Sequence, residues 1–589
     1  MSLPPAVERS ISGRRWRWRE HDAAQALAIC QRIDLPEVVG RILAGRGVAV
    51  DGVPAFMAPR LRDALPDPSH LHDLDLAVER LADAVQAGEP IGLLGDYDVD
   101  GATSLALLAR YLRAVEGEAR VDVPDRLAEG YGPNPTAFER LAAQGCRLVV
   151  TLDSGTTAFA ALAGATERGQ EVIVVDHHAA EPRLPSALAV INPNRCDQAS
   201  PVGELAAVGV TFLLVVALNR RLRARGHFAR RAEPDLRRWL DLVALGTVCD
   251  VVPLRGLNRA LVCQGLKIAA LGGNPGLAAL AAAAGLHAPP SAEHLSFVLG
   301  PRINAGGRTG CSRLGAELLL ADAPEAIAGI VARMEHLNQE RRATERRVLA
   351  AAERRLGPAL AADRPLLLVG DEDWSPGVVG LVAARLVERH HRPAVVIGLC
   401  GEIGKGSGRS VAGFDLGAAV IAARQAGLLL EGGGHPMAAG LTMRADRLDE
   451  LAEFLGGHLA RAFGPGLPPP PDLALDGALQ VTALSPGLAE RLGSLGPYGR
   501  GNPEPRFMLP EARSFQIRQI GEAHLDCWLQ DAAGGRARAV AFRAAGRPLG
   551  EALLAAGGAP LHLAGTLKLD SWQGRPRVTF RIEDAARCA

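Results

Sequence analysis

The chain has 589 residues, 48% of them hydrophobic, which is enough apolar content for several cored domains rather than one. Lys plus Arg and Asp plus Glu both number 65, so no global charge draws polyanions, and any nucleic-acid binding has to come from local patches. No apolar run reaches membrane-spanning length, the start lacks the apolar stretch of a secretory signal, and the nine cysteines are scattered with no CxxC pair; a cytoplasmic protein with neither a disulfide framework nor a zinc site is expected.

Residues 1–74 carry Trp16 and Trp18 between Arg14, Arg15, Arg17 and Arg19, a stretch that suits stacking on DNA, with disorder or domain packing as the plainer expectation. From 75 to 330, strand and helix patterns alternate as in a doubly wound α/β unit. The apolar runs 91–94, 148–152 and 172–175 read as buried parallel strands. Each ends in ligand chemistry: Asp96, Asp98 and Asp100 after the first, Asp153 after the second, Asp176, His177 and His178 after the third. A further acid, Asp250, follows the helix-like run 240–245. Ligands gather at the carboxyl ends of such strands, so these side chains are expected to converge on one crevice.

Between Gly95 and Gly101 alternate residues carry carboxylates, and an extended segment would point them the same way. Like charges this close raise one another's pKa unless cations sit among them. The plain alternative is a solvated acidic turn, and the alternation alone fits a calcium-type loop about as often as a catalytic site; the recurrence of acids and histidines at other strand ends favours a catalytic metal centre. Mixed carboxylate and imidazole ligation suits Mn²⁺, with Mg²⁺ as the alternative, and two such ions suit phosphoester hydrolysis.

Residues 331–361 place Arg and Glu at helical spacing without a broad apolar stripe, as in a solvated connecting helix. A second α/β pattern over 362–466 has strand candidates at 366–369 and 394–397 and two Gly-rich loops, Gly406 to Ser410 and Gly432 to Pro436, that permit close approach to a phosphate. After the stiff, proline-rich spacer at 467–471, residues 472–589 show short alternating runs at 514–520, 525–529, 537–542, 561–569 and 577–582, the pattern of a small β-barrel or sandwich.

Asp-Tyr-Asp-Val-Asp-Gly, Val-Thr-Leu-Asp-Ser-Gly, Asp176-His177-His178 and Gly-Thr-Val-Cys-Asp-Val-Val-Pro resemble the four motifs of the DHH phosphoesterase superfamily, and in particular its single-strand-specific 5′ to 3′ DNA exonucleases. The resemblance extends from about Asp75 to the C-terminus. It implies a parallel-sheet DHH domain, a long connecting helix, a second α/β domain of DHHA1 type and a C-terminal OB-fold β-barrel. It also implies two divalent ions, Mn²⁺ or Mg²⁺: Asp98 and Asp153 at one, with Asp96 nearby as a further ligand or water-holder, and Asp100, Asp153, His177 and Asp250 at the other. His178 would face the scissile phosphate, or else merely orient its neighbour.

In the segment Pro301 to Arg308, which resembles a family signature, Arg302, Asn304 and Arg308 are substrate candidates; ion pairing with the connecting helix is the alternative for one of the two arginines. Ser407, Arg409, Ser410, Gly434 and His435 would form a 5′-phosphate pocket, and Ser375, where the family usually has His, departs from the pattern. Tyr498, Arg500, Lys568, Trp572, Arg575 and Arg577 are candidates for strand binding, and the basic stretch 220–238 is either a DNA-contacting insertion or a solvated helix. The implied activity is release of 5′-mononucleotides from single-stranded DNA during recombination and repair, by a monomer acting beside a helicase and a single-strand-binding protein. The alternatives are a phosphodiesterase for oligonucleotides or small nucleotides, which would not need the extra barrel, and an inactive DNA-binding scaffold, which would not need the full ligand set.

Overall fold

The computed structural model describes residues 6–588 apart from Leu127, Tyr131, Pro465, Gln573 and Gly574, and the side chains of 570–576 fall outside the description. The chain forms two compact bodies. One holds Arg60–Pro468 with Gly499–Gly501; the other takes the chain before Arg60 and the remainder after Pro468.

The first body begins with a five-stranded parallel sheet in the order Ala119–Asp122, Ile91–Gly95, Leu148–Leu152, Glu171–Val175, Ala189–Ile191. Alternate residues face opposite layers: Leu93, Val150 and Ile173 pack with the helices Leu74–Ala87, Val99–Ala114 and Ala207–Ala224, while Leu94, Val149 and Val174 pack with Pro135–Ala143 and Phe159–Glu167. With both faces covered, the strands have to be apolar throughout, which is why they were legible as continuous runs. Each fully buried Leu, Val or Ile contributes roughly 1.5–3 kcal/mol, which offsets the burial of acids at the strand ends. Strand order reverses between Ile91–Gly95 and Leu148–Leu152, so their carboxyl ends flank the crevice where such sheets bind ligands.

The connecting helix is longer than the sequence pattern suggests. It runs Pro324–Ala361, 38 residues, or about 57 Å at 1.5 Å per residue. Ile327, Val331 and Met334 anchor its start in the core of the first sheet's helical layer, and Val348, Leu349, Ala352 and Leu356 anchor its end against the next domain; charged residues are densest in the stretch between.

That next domain is a mixed sheet in the order Glu431–His435, Ala438–Arg444, Ile403–Arg409, Ala394–Cys400, Leu367–Asp371, parallel only between the last two. The expected Gly-rich loops are therefore largely strands: Gly406 to Arg409 lies inside the sheet with a ladder on each side, and Gly432 to His435 belongs to the edge strand, paired on one side only. Packing explains the composition: a Cβ at Gly406 would stand 2.8 Å from Ile397 Cγ1, and one at Gly408 2.6 Å from Leu416 Cδ2.

In the second body, Trp16–Trp18 is a strand paired in parallel with Leu473–Leu475. Trp16 is 1% exposed and donates its indole N–H to Asp584 at 3.0 Å, while Arg15 and Arg17 pair with Asp472 and Arg19 with Asp476. This stretch packs; Trp16 offers no stacking face. The barrel strands are Gly477–Ala478, Arg506–Ile520, His524–Gln530, Arg536–Ala541, Pro560–Trp572 and Arg575–Arg587, and pairing of Arg506–Ile520 with Pro560–Trp572 closes the sheet. Helices Ala23–Ile33 and Glu37–Gly45 share one core with it. Among the described residues no single helix is long and apolar enough to cross a membrane.

Candidate metal centre and phosphate path

The acidic segment after Ile91–Gly95 is not extended. Helix formation begins at once: Asp98 is the N-cap of Val99–Ala114, accepting from Gly101 N–H at 3.1 Å, and Asp100 lies in the first turn. Capping favours Asp at that position, and a carboxylate in the first turn suits the helix dipole, so the alternating acids fan out around a helix N-terminus instead of lining one strand face. Asp153 lies directly after its strand at φ 63°, a left-handed conformation that Asp tolerates better than most residues. Its N–H donates to Val175 O at 3.0 Å, prolonging the sheet by one bond. Asp250 caps the C-terminus of Leu240–Cys249.

These elements bring the ligand candidates together. Asp96, Asp98 and Asp153 form one group whose oxygens lie within 4.8 Å of one another, Asp100, His177 and Asp250 form a second, and Asp153 also groups with His177 and His178. His177 Nε2 lies 3.3 Å from Asp153, 3.7 Å from Asp250 and 3.8 Å from Asp100. Its Nδ1 lies 3.0 Å from Leu205 O, an atom that can only accept, so the proton sits on Nδ1 and Nε2 presents its lone pair to the acids.

The donor set fits divalent cations by an independent observation. Asp153 Oδ1, His177 Nε2 and Asp250 Oδ2 are buried without a hydrogen-bond partner, a state that costs each group unless something positive satisfies it. Burial, then the charges of Asp250 and Asp98, push the Asp100 carboxyl up to about 7; burial and Asp98 push Asp250 up to about 7; Asp96 and Asp153 are also raised well above the usual range by burial and their neighbours. Ions between the carboxylates remove that penalty.

Asp176 has a different task, one that reasoning from the strand ends did not assign. It is 2% exposed and accepts from Thr156 N–H at 3.0 Å, His177 N–H at 2.7 Å, His178 N–H at 3.2 Å and His178 Nδ1 at 2.7 Å. Burial opposes its charge, but these donors hold its carboxyl far below the ordinary range. Burial likewise opposes a charge on His178, yet Asp176 outweighs it and lifts the imidazole to about 9. His178 is therefore a cation at neutral pH. Asn192 completes the frame, donating to Thr156 Oγ1 and to His178 O, both at 2.9 Å. The signal for Asn192 was available, since it follows the strand Ala189–Ile191.

From the acids a line of guanidinium groups leads away. Arg126 lies over the Tyr97 ring at 4.6 Å and pulls Asp96 down against its burial; it follows Ala119–Asp122, a strand too polar to be read from the sequence. Burial, then Arg126, lowers the pKa of Arg308, whose Nη1 donates to Gly377 O at 3.0 Å, and burial, then Arg308, lowers that of Arg409. Guanidinium groups that disfavour one another's charge in this way suit an anion between them. Arg409 Nη1 also donates to Ser407 Oγ at 3.0 Å, and the backbone of Gly434 and His435 lies beside Gly417 on the neighbouring helix, with the His435 side chain exposed. Ser375 caps the helix Pro376–His390, accepting from Gly377 N–H at 3.3 Å.

Other candidates are engaged with their own neighbours. Arg302 is ion-paired with Glu335 of the connecting helix and donates to Val298 O at 2.7 Å, and Ser410 is buried with its hydroxyl donating to Phe414 O at 2.7 Å. Asn304 keeps a buried Oδ1 without a partner. The arginines of 220–238 are largely engaged: Arg220 with Asp67, Arg221 and Arg225 with Glu79, Arg223 with Glu233, Arg231 with Glu116, Arg237 with Asp235.

On the barrel, Lys568 pairs with Glu504, Tyr498 donates to Leu492 O, and Trp572 and Arg575 have side chains outside the described ones. The aromatic face lies instead on the middle strands. Phe515, Trp528 and Arg538 stand in register, Arg536 covers Phe515 at 5.6 Å, Arg577 covers Trp528 at 5.9 Å and Arg581 covers Phe542 at 5.4 Å. Trp528 and Phe542 are 36% and 53% exposed, which marks the row as a surface platform rather than core.

A doubly wound sheet with carboxylates and a histidine pair at its carboxyl edge, joined by a helix to a smaller mixed sheet, defines a protein of the DHH class. Models of the DHH family N-terminal domain, the DHHA1 domain and the RecJ OB domain match residues 90–247, 363–460 and 475–584. The single-stranded-DNA-specific exonuclease RecJ of Dickeya dadantii (strain 3937) is 40% identical over 517 residues, 85% of this chain and 88% of that one. Crystal structures of RecJ from Thermus thermophilus in complex with Mn²⁺ and with Mg²⁺ superpose with TM-scores of 0.80 and 0.74, at 30% and 28% identity, over 97% of this chain and 80% and 79% of theirs. The chain belongs to the RecJ family.

Proposed function

We propose that this protein is a metal-dependent exonuclease specific for single-stranded DNA, degrading strands from the 5′ end to 5′-mononucleotides in recombination and repair. The observation that carries this reading is the convergence of Asp96, Asp98, Asp100, Asp153, His177 and Asp250 around buried, unpartnered donor atoms, beside a line of guanidiniums leading into the DHHA1 domain.

In this reading Asp98 and Asp153, with Asp96 nearby, would hold one divalent ion, Mn²⁺ or Mg²⁺, and Asp100, Asp153, His177 and Asp250 would hold the other. When bound, such a pair activates water and stabilises charge developing on the phosphodiester. His178, kept protonated by Asp176, donates to a phosphate oxygen or to the leaving group. Arg308 binds the backbone next to the cleavage point, and Arg409, Ser407, Gly434 and His435 receive the 5′ end, so that polarity follows from end capture. Ser410 and Arg302 support these elements through their own bonds.

The division of labour follows the domains: catalysis in 75–330 with its connecting helix at 331–361, end binding in 362–466, and strand holding in 472–589 on the platform of Phe515, Trp528 and Phe542. We further infer a cytoplasmic monomer working beside a helicase and a single-strand-binding protein.

Single strands labelled at one end or the other, incubated with Mn²⁺ or Mg²⁺, test the proposal. Labelled mononucleotide is expected at once from 5′-labelled strands and last from 3′-labelled ones, and Asp153→Ala is expected to abolish cleavage while strand binding persists. Degradation from the 3′ end, or turnover of dinucleotides only, overturns it.

A further inference from the structure

The turn that follows Asp250 is held by residues from far along the chain. Asp250 Oδ2 is buried with no hydrogen-bond partner, so the carboxylate depends on its backbone for its aim. The next residue, Val251, sits at φ 59°, a left-handed conformation that β-branched side chains disfavour, and it is 55% exposed, so burial does not hold it there. Support comes from Asn258, whose amide donates to Pro253 O at 3.1 Å, and from the tripeptide Gly499-Arg500-Gly501.

Leu254 N–H donates to Arg500 O at 2.8 Å, Arg255 Nε donates to Gly501 O at 3.1 Å, and Arg500 Nη1 reaches Val251 O at 3.5 Å. The approach is too close for side chains: Gly501 has φ 75° and a Cβ there would stand 3.0 Å from Pro253 Cβ, and one at Gly499 2.8 Å from Leu254 Cδ1. Although its chain neighbours belong to the other body, this tripeptide belongs to the catalytic one.

We propose that Gly499–Gly501 is a positioning element of the metal centre: it fixes the turn 251–255, and through it the carboxylate of Asp250, with the Arg500 guanidinium held against the Val251 carbonyl of that turn. The inference rests on the reading of Asp250 as a metal-binding residue. It follows that a truncation past Pro471 removes part of the catalytic centre along with the barrel.

The test uses the full-length chain, Mn²⁺ titration by calorimetry, and turnover of a 5′-phosphorylated trinucleotide too short to need a strand platform. Residues that orient metal ligands typically change metal affinity by about 10–100-fold, so Arg500→Ala is expected to weaken Mn²⁺ binding by about tenfold and to lower kcat with KM nearly unchanged. Arg500→Lys restores part of both, and Gly501→Val, which also disturbs the backbone contact, loses more. Thermal unfolding of Arg500→Ala stays at the wild-type midpoint, because the side chain is exposed. Wild-type Mn²⁺ affinity in Arg500→Ala overturns the proposal, as does a defect confined to KM on long strands. A wild-type protein that binds Mn²⁺ but cleaves no DNA defeats the exonuclease reading instead, and the Mn²⁺ titration still decides this one.

Discussion

Removing divalent ions should destabilise the protein in a pH-dependent way whose sign the acids fix. Asp100 and Asp250 are each raised from 3.8 to about 7 by burial and by acidic neighbours. Between pH 4 and 7 the folded state therefore binds more protons than the unfolded one, and stability of the metal-free protein falls as pH rises through that window. His178, lifted to about 9 from 6.5, adds the same sign: its contribution is complete below pH 6.5 and is lost between there and pH 9. Asp176, shifted downward, is already ionised throughout and drops out of the comparison. Moving one carboxyl from 3.8 to about 7 corresponds to about 4 kcal/mol, and the two interact, so about 4 kcal/mol is the scale for the pair. An ion at a hundred times its Kd contributes about 2.7 kcal/mol. For a body of this size these terms amount to roughly 5 °C in Tm. Differential scanning calorimetry of chelator-treated protein at pH 5.5 and pH 8, with and without Mn²⁺, reads the effect. Mn²⁺ should raise Tm at pH 8 by several degrees and at pH 5.5 by much less. A metal-free protein that is more stable at pH 8 than at pH 5.5, or an equal Mn²⁺ gain at both, refutes the reasoning.

Asp176→Asn removes the partner that keeps His178 charged, so the alkaline limb of the kcat profile should move from near pH 9 down toward 6.5; an unmoved limb would remove His178 as the proton-bearing group. Gly307→Ala places a Cβ 2.0 Å from the Tyr97 ring, which sits between Asp96 and Asp98. Overpacking of this kind costs about 1–3 kcal/mol, and displacement of the ring should weaken Mn²⁺ binding measured by calorimetry; full affinity would show that the acidic segment does not depend on Tyr97. Trp528→Ala should lower affinity for long single strands about tenfold by fluorescence anisotropy while leaving trinucleotide turnover unchanged, since a stacked base is worth about 1–3 kcal/mol. A matching loss on the trinucleotide would count against the platform.

The amino-acid sequence by itself determined the three ligand-bearing strands of the parallel sheet, most of the barrel and where the acids fall. Strands buried on both faces must be apolar throughout, so their ends can be located within a residue or so, and Asp96, Asp153, Asp176 and His177 stand at those ends. Alternation likewise placed the barrel strands, because one face of each meets the core. What only the tertiary structure decided depends on partners distant in the chain. A carboxylate is the same letter whether it faces a cation or, as Asp176 does, two histidines and a threonine; Gly406 and Gly408 read as a loop until the side chains of Ile397 and Leu416 are set against them; and the arginines of 220–238 look like a basic patch until Glu79, Glu116 and Glu233 neutralise them. Arg500 is the extreme case: its hold on the Asp250 turn spans 249 residues and exists only because two glycines let the backbones meet. Local pattern reports burial, because burial repeats with the period of the strand or helix; pairing does not repeat, so it is settled by which surfaces the fold brings within about 3 Å of each other.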